Sequence, residues 1–263
     1  MAEVRFGPGG LGHVKNAVEN LEEFHKLGLK ACEVEFTYGI YIKETETQEI
    51  KKIAEKLGIK LSIHAPYWIN LNSSEKYKVE QSKKRILDSC KIGELLGAEY
   101  VVFHPGYYGK KSKEASYELI KKEIINIQNE IKNNRWKIKL APETTGKLNV
   151  FGSIDEILAL VEDTNCAFTV DFAHLSARSN GKMSYQKMFE YFKDFKKLHC
   201  HFSGIEYGEK GEKNHKLTSK QDWEKLLFTL KQIKLDKEIT IINESPNPLR
   251  DSVLGLGIWK RLN

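Results

Sequence analysis

Side chains that can bind metal ions stand at the ends of six strand-like, hydrophobic runs in this sequence. They are His64, His104, Glu143, Asp171, His201 and Glu244. The run CAFTVDFAH (166–174) carries both Asp171 and His174 at its end. A carboxylate taken out of water is costly unless it is paired or coordinates a metal. One such ending would be an accident, but six in one chain predict a metal site where the strands end.

The chemistry available to these residues is that of divalent metal ions. Imidazole nitrogens and carboxylate oxygens together suit Zn²⁺ and also Mn²⁺. Such a set can hold at least two ions, and paired ions about 3.5–4 Å apart are a recurrent device for phosphodiester hydrolysis. His199 alternates with His201 on one strand face and lies deeper, so we expect it to support the site rather than to bind metal.

Eight β-rich runs alternate with amphipathic helical stretches along the whole chain. The runs cover residues 4–8, 31–36, 60–65, 100–106, 137–144, 166–174, 196–204 and 237–246. Helices are predicted up to residue 25, over 46–57, 74–96, 112–133, 153–161, 184–194 and 219–233, and at the end of the chain. A polar loop precedes the 219–233 helix. This alternation is typical of repeated strand–helix units.

The alternation predicts an α/β fold, a single (β/α)₈ TIM barrel that spans residues 1–263 as one domain. A doubly wound sheet would more often carry a glycine-rich phosphate loop after its first strand. The turn GPGG at residues 7–10 lacks the GxGxxG spacing. Because the C-terminal ends of barrel strands share one mouth, the strand-end residues named above would meet there.

Composition restricts the class of protein without identifying a partner. The net charge of +6 is compatible with a phosphate-bearing partner. The four cysteines form no CxxC pair and fit buried, reduced thiols. No apolar run approaches the ~18–20 residues that span a bilayer, and the N-terminus does not resemble a signal sequence. We therefore expect a cytoplasmic protein with no membrane partner.

Six motifs, taken together, resemble one enzyme family. They are HAPYWINLNS (64–73), VVFHPG (101–106), PETTG (142–146), DFAH (171–174), HFSG (201–204) and NESPNP (243–248). In this order they resemble the endonuclease IV family of apurinic/apyrimidinic endonucleases, within the xylose-isomerase-like barrels. The combination of HAPY, INL and a later HPG is the most specific part of the resemblance.

The resemblance implies a zinc-dependent hydrolase of base excision repair that cuts DNA 5′ to an abasic site. Two or three Zn²⁺ ions per chain are implied, with Mn²⁺ as an alternative. The carboxylates of Glu143, Asp171 and Glu244 would be catalytic. By motif, the ligands would be His64 and His104 for one ion, Glu143 as a bridge, Asp171, His201 and Glu244 for the second ion, and His174 and His215 for the third.

The same resemblance implies contacts with DNA. Tyr67 and Trp68 directly follow the first histidine ligand, where the family places bulky side chains that enter the minor groove. Inserting a wedge costs least where a base is already missing, so it selects abasic sites without reading a base. The alternative is that both side chains pack against a neighbouring loop. The expected partner is double-stranded DNA containing abasic sites, bound by a monomer.

One loop departs from the family's pattern. The family's third zinc is normally held by an Asp-x-His pair, but here the loop reads GEKGEKNHKL (208–217). His215 fits, whereas Lys213 stands at the aspartate position and Glu212 is one residue away. Glu212 would serve if the loop shifts, and Lys213 would otherwise contact the DNA phosphate through its charge. Whether two or three ions bind depends on this loop.

Two other classes of protein fit the same residues. Glu143, Asp171, His201 and Glu244 also resemble the metal site of xylose-isomerase-like sugar isomerases and epimerases, which use a single divalent ion. The remaining histidines would then contact a small polyol or be structural. A DNA-binding barrel without catalysis is the third class. The additional histidines, the Tyr67–Trp68 pair and the positive charge favour DNA cleavage.

Overall fold

The computed structural model describes residues 3–233 and 237–263. Its strands are β1 Glu3–Pro8, β2 Ala31–Glu35, β3 Lys60–His64, β4 Tyr100–Phe103, β5 Lys139–Pro142, β6 Thr169–Asp171, β7 Lys197–Phe202, β8 Gly204–Gly208, β9 Gly211–Lys216 and β10 Glu238–Asn243. Its α-helices are α1 Ala17–Lys26, α2 Glu44–Leu57, α3 Lys76–Leu96, α4 Lys113–Asn133, α5 Ile154–Thr164, α6 Phe172–Arg178, α7 Tyr185–Tyr191, α8 Lys220–Ile233 and α9 Pro248–Leu262. A 3₁₀ turn at Val14–Asn16 precedes α1.

Eight parallel strands form two four-stranded sheets that are joined at both edges. The strand orders are β1-β10-β7-β6 and β2-β3-β4-β5. Single parallel bridges, Gly9 with Glu33 and Glu143 with Thr169, connect β1 to β2 and β5 to β6. The strands therefore follow one another around a ring, which confirms the predicted (β/α)₈ fold.

The strands are buried because helices cover the outside of the ring and side chains fill its interior. Ile63, Val101 and Ile241 are fully buried members of this core. A side-chain cap marks the beginning of α5. Ser153 caps α5, with the Ser153–Glu156 capping box that the sequence predicts.

The predicted strand over 166–174 is wrong in its length. β6 ends at Asp171, and α6 begins at the next residue. The Asp171 carboxylate accepts a hydrogen bond of 2.7 Å from the His174 backbone amide, which caps the helix and so ends the strand. His174 therefore lies in the first turn of a helix, and Cys166 precedes the strand in which it was expected.

The polar loop predicted after β7 is wrong as well, because it forms the antiparallel hairpin β8–β9. Gly208 pairs with Gly211 around a tight turn, and Gly211 has a φ of +90°, which favours glycine. Polar side chains on both strands conceal the two-residue period from the sequence. A bridge between Lys147 and Gly211 connects the hairpin to the loop that follows β5.

All four cysteines are buried and free, as predicted for reduced thiols. In the part of the chain that the structure describes, the helices are too short or too polar to cross a membrane.

Candidate metal centre

Glu143, directly after β5, stands at the centre of a histidine cluster. Its carboxylate is fully buried. Its Oε2 atom lies 3.3 Å from His64 Nε2 and 3.0 Å from His104 Nε2. Its Oε1 atom lies 3.1 Å from His174 Nδ1 and 3.3 Å from His201 Nδ1. A carboxylate that faces different histidines with its two oxygens has the position expected of a ligand that bridges two ions.

A second group of ligand atoms, all within 4.8 Å of one another, comes from Glu143, Asp171, His201 and Glu244. Glu244 Oε1 lies 3.1 Å from His201 Nδ1. Asp171 Oδ2 is buried without a hydrogen-bond partner among the described residues. His174 Nδ1 lies 3.3 Å away, but it donates to the Thr144 carbonyl at 2.9 Å. A buried carboxylate oxygen that accepts no hydrogen bond is a candidate ligand for a cation.

The far ring nitrogens of the histidines are held by the backbone. His64 Nδ1 donates to the Ala65 carbonyl at 2.8 Å, and His174 Nδ1 donates to Thr144 as described. These bonds orient the two rings and leave Nε2 of each directed at the centre of the mouth. Metal-binding histidines are commonly oriented in this way.

Beneath the mouth, Glu33 of β2 holds two histidines of β7. Its Oε1 lies 2.8 Å from His201 Nε2, and its Oε2 accepts from His199 Nε2 at 2.8 Å and from Ser62 Oγ at 2.6 Å. Burial raises the pKa of Glu33, but His201 and His199 more than offset this and hold it well below its usual range. His199 thus lies in the supporting position that the sequence predicts. Glu33 itself was missed, although a charge inside an apolar strand was its signal.

A third group of ligand atoms comes from Asp171, His174 and His215. His174 Nε2 lies 3.2 Å from His215 Nε2 and 3.5 Å from Glu212 Oε2. On the other side of its ring, His215 Nδ1 lies 2.9 Å from Ser203 Oγ. The carboxylate nearest to this histidine pair on the hairpin is therefore that of Glu212.

A β-bulge explains how Glu212 takes this position. In the hairpin, Asn214 pairs with Glu206 and Glu212 pairs with Tyr207, so Lys213 is an extra residue between two pairs. The extra residue shifts the alternation of side chains by one, so Glu212 and His215, three positions apart, point to the same face. Both line the mouth cavity.

Lys213 lies on the other side of the hairpin. Its side chain is 59% exposed, and its Nζ is 3.6 Å from Glu206 Oε1. The predicted contact of Lys213 with DNA stays a prediction, and it would be made from this outer position rather than from within the cavity.

The charges of the site favour cations. Burial raises the pKa of Glu244, but His201 more than offsets this and lowers it to about 2. Burial lowers the pKa of His64, but Glu35 and Glu143 more than offset this and raise it to about 10. Glu143 has its pKa held well below its usual range, against the effect of burial, by the imidazoles around it. Without metal, a proton on His64 thus offsets part of the negative charge of the carboxylates.

Glu35, the last residue of β2, is a further carboxylate that the sequence analysis missed. Its ligand atom lies within 4.8 Å of those of Glu33 and Glu244. Burial, and then the charges of Glu244 and Glu33, raise its pKa to about 8, against the opposing effect of His64. Glu35 is a polar residue at the end of an apolar strand, like the ligand residues that the sequence predicts. The two-residue period of a strand places Glu35 on the same face as Glu33.

A cavity of about 430 Å³ opens at the barrel mouth, and its lining includes His64, Tyr67, His104, His174, Glu212 and His215. At its rim Tyr67 is 57% exposed and Trp68 is 62% exposed. The Tyr67 ring meets the edge of Tyr38 at 6.2 Å between centroids. The aromatic pair therefore faces solvent beside the cavity, with Tyr67 braced by one neighbouring loop.

A family model described as "Xylose isomerase-like TIM barrel" matches residues 21–261. "Uncharacterized protein MJ0133" of Methanocaldococcus jannaschii is 37% identical, over 98% of this chain and 97% of its own length. A "Probable endonuclease 4" of Halothermothrix orenii is 24% identical, over 83% of this chain and 91% of its own length. The resemblance to endonuclease IV is confirmed by the family match and by the Halothermothrix orenii relative.

Three solved structures share the fold over nearly the whole of both chains. SacUVDE has a TM-score of 0.75 at 16% identity, covering 100% of this chain and 99% of its own. Endonuclease IV from Thermus thermophilus has a TM-score of 0.72 at 20% identity, covering 98% of each chain. D-Psicose 3-epimerase from Clostridium cellulolyticum has 0.68 at 12%, also covering 98% of each. At these identities the likeness establishes the fold and not the reaction. With residues 21–261 matched, the chain belongs to the xylose isomerase-like TIM barrel family.

Proposed function

We propose that this protein is a metal-dependent endonuclease that hydrolyses the phosphodiester bond 5′ to abasic sites in DNA. The observation that carries this proposal is the set of three adjoining ligand groups around Glu143, at a mouth open to solvent. The relatives named "Probable endonuclease 4" support it.

The residues present fit two or three divalent ions, with zinc as the expected metal. His64 and His104 would hold the first ion, and Glu143 would connect it to a second. The second would be completed by Asp171, His201 and Glu244, and the third would be held by His174, His215 and Glu212. A bound divalent ion supplies Lewis acidity that stabilises negative charge developing on a phosphate. The chain's part is to fix these positions with buried carboxylates.

The rim of the cavity carries aromatic side chains that can contact the DNA substrate. Tyr67 and Trp68 stand exposed beside the cavity, where they can enter a minor groove. Insertion is least costly where a base is absent, which would give selectivity for abasic sites. The net charge of +6 attracts the phosphate backbone.

A sugar isomerase or epimerase is the second candidate, favoured by the tetrad of Glu143, Asp171, His201 and Glu244. The third group of ligand atoms and the exposed aromatic pair argue against it, because chemistry at one ion on a small polyol requires neither. The same argument disfavours a barrel that binds DNA without catalysis, since all three ligand groups are present.

A gel assay with an end-labelled duplex containing one tetrahydrofuran abasic analogue tests the proposal. We expect a single nick 5′ to the analogue, lost with chelator and absent from the undamaged duplex. Glu143→Gln should abolish the nick, whereas Lys56→Gln, at the opposite end of the barrel, should not. If metal-loaded protein leaves the duplex intact and epimerises a ketose, the second candidate replaces the first.

A further inference from the structure

Glu35 has no place in the three ligand groups described above, although it lines the same cavity. It closes β2 beside Glu244, which follows β10. The two side chains face each other across Gly9, where a Cβ atom would lie 3.1 Å from Glu35 Oε1 and 3.6 Å from Glu244 Cγ. The glycine therefore leaves a space between them that a larger residue would fill.

Three carboxylates converge at this space, and they differ in how they are satisfied. Glu33 Oε2 accepts hydrogen bonds from His199 and Ser62, whereas Glu33 Oε1 lies 2.8 Å from His201 Nε2 without forming a hydrogen bond. Glu244 Oε1 lies 3.1 Å from His201 Nδ1. Glu35 Oε1 and Glu33 Oε1 are both buried and have no hydrogen-bond partner within residues 3–233 and 237–263. Asp171 Oδ2, in the adjoining ligand group, is in the same condition. Three buried carboxylate oxygens, those of Glu33, Glu35 and Asp171, thus lack a hydrogen-bond donor, which is the condition expected of oxygens that bind a cation.

We propose that Glu35 is a further ligand of the ion held by Glu244, a proposal that rests on the metal centre described above. Glu244 belongs both to the group with Glu143, Asp171 and His201 and to a group with Glu33 and Glu35, so Glu35 would add a carboxylate oxygen on the Glu244 side of this ion. Oxygen-rich sites suit Mn²⁺, whereas zinc sites are more often built from nitrogen and sulfur. Glu35 would thus shift the preference of this ion from Zn²⁺ towards Mn²⁺.

Manganese binding to the metal-free protein tests this without DNA. Free Mn²⁺ is followed by its electron paramagnetic resonance signal during titration of wild type, Glu35→Gln and Glu206→Gln. Glu206 is the matched control, because it is a partly exposed glutamate of β8 that pairs with Lys213 and Lys216. The melting temperature of each protein is measured with and without saturating Mn²⁺.

We expect Glu35→Gln to bind at least one Mn²⁺ about 10-fold or more weaker than wild type and to gain less in melting temperature from the metal. Glu206→Gln should match wild type in both measurements. Unchanged Mn²⁺ affinity and an unchanged thermal gain in Glu35→Gln would overturn the proposal. Should that variant not fold, the same measurements on Glu35→Asp decide the question.

The outcome is independent of the nuclease assay. If the wild type nicks abasic DNA but Glu35→Gln binds Mn²⁺ as tightly as wild type, the proposed function stands and Glu35 is not a ligand. If the wild type has no nuclease activity but Glu35→Gln binds Mn²⁺ more weakly, Glu35 is a ligand and the proposed function fails.

Discussion

Glu33 is fully buried below the mouth, and its carboxylate lies against His201. Its carboxylate lies 2.8 Å from His201 Nε2, which leaves Nδ1 directed at Glu143 and Glu244. We predict that Glu33→Gln weakens Zn²⁺ binding by about 10–100-fold, because an amide no longer fixes the ring as a carboxylate does. Competition with a chromophoric chelator measures this. Glu206→Gln serves as the control, and equal Zn²⁺ affinity in Glu33→Gln and wild type would contradict the orienting role.

The histidines of the mouth give a second prediction at the residue scale. Burial lowers the pKa values of His64, His174 and His201, but the carboxylates around them more than offset this and raise all three. At neutral pH these imidazoles are therefore protonated without metal, and they must lose their protons to bind it. We predict that zinc binding releases protons from these imidazoles, and that the affinity falls as the pH falls. Calorimetry in two buffers of different ionisation enthalpy counts the protons, and zero release would contradict the charge states.

The sequence predicts the ligand residues better than it predicts the residues around them. His64, Glu143 and Asp171 are recognisable because a polar group that ends an apolar run needs a physical reason. Glu33 and Glu35 obey the same reasoning but occur in ACEVEF, where a glutamate at every second position looks like an ordinary strand with one solvated face. Only the closed ring shows that this face is buried.

At the scale of elements, the β8–β9 hairpin determines whether a third ion can bind. We predict that Glu212→Gln loses one zinc per chain relative to wild type, because Glu212 is the hairpin carboxylate that faces His174 and His215. Deleting Lys213 removes the bulge residue and leaves Glu212 two positions before His215. In a regular hairpin, residues two positions apart share a face, so Glu212 would still point into the cavity. The deletion should therefore keep the zinc that Glu212→Gln loses. Elemental analysis after dialysis counts the zinc, and loss of one ion in both variants would contradict the role of the bulge.

The hairpin and α6 also show why sequence periodicity fails locally. The hydrophobic run at 166–174 continues through both β6 and α6, so its composition gives no sign of the boundary at Asp171. That boundary depends on one side chain bonding to a backbone amide. The hairpin has the opposite difficulty, since its strands have too few apolar residues to reveal a period. Barrel strands and long helices such as α3 and α4 are predictable because burial on a fixed face repeats along them.

At the scale of the whole molecule, the ring of strands brings residues that are far apart in the sequence together in one site. His64 and Glu244 are placed at the same mouth because every strand of the ring runs in the same direction. The order of the eight strands was predictable for that reason, since helical crossovers leave a parallel ring few alternatives. That residues 1–263 form one domain stays a prediction.

The whole-molecule charge gives the last prediction, which separates a DNA substrate from a sugar. Binding of chelator-treated protein to an abasic duplex should weaken steeply with salt, because each phosphate contact releases about 0.9 counterions. Lys213→Gln should reduce the slope of log affinity against log salt by about one if this lysine contacts a phosphate. Lys56→Gln removes the same charge from the far end of the barrel, at the C-terminal end of α2, and should leave the slope unchanged. Fluorescence anisotropy over a range of salt concentrations measures all three proteins. An affinity independent of salt would contradict a phosphate-binding mouth, and equal slopes in both variants would remove Lys213 from the DNA contact.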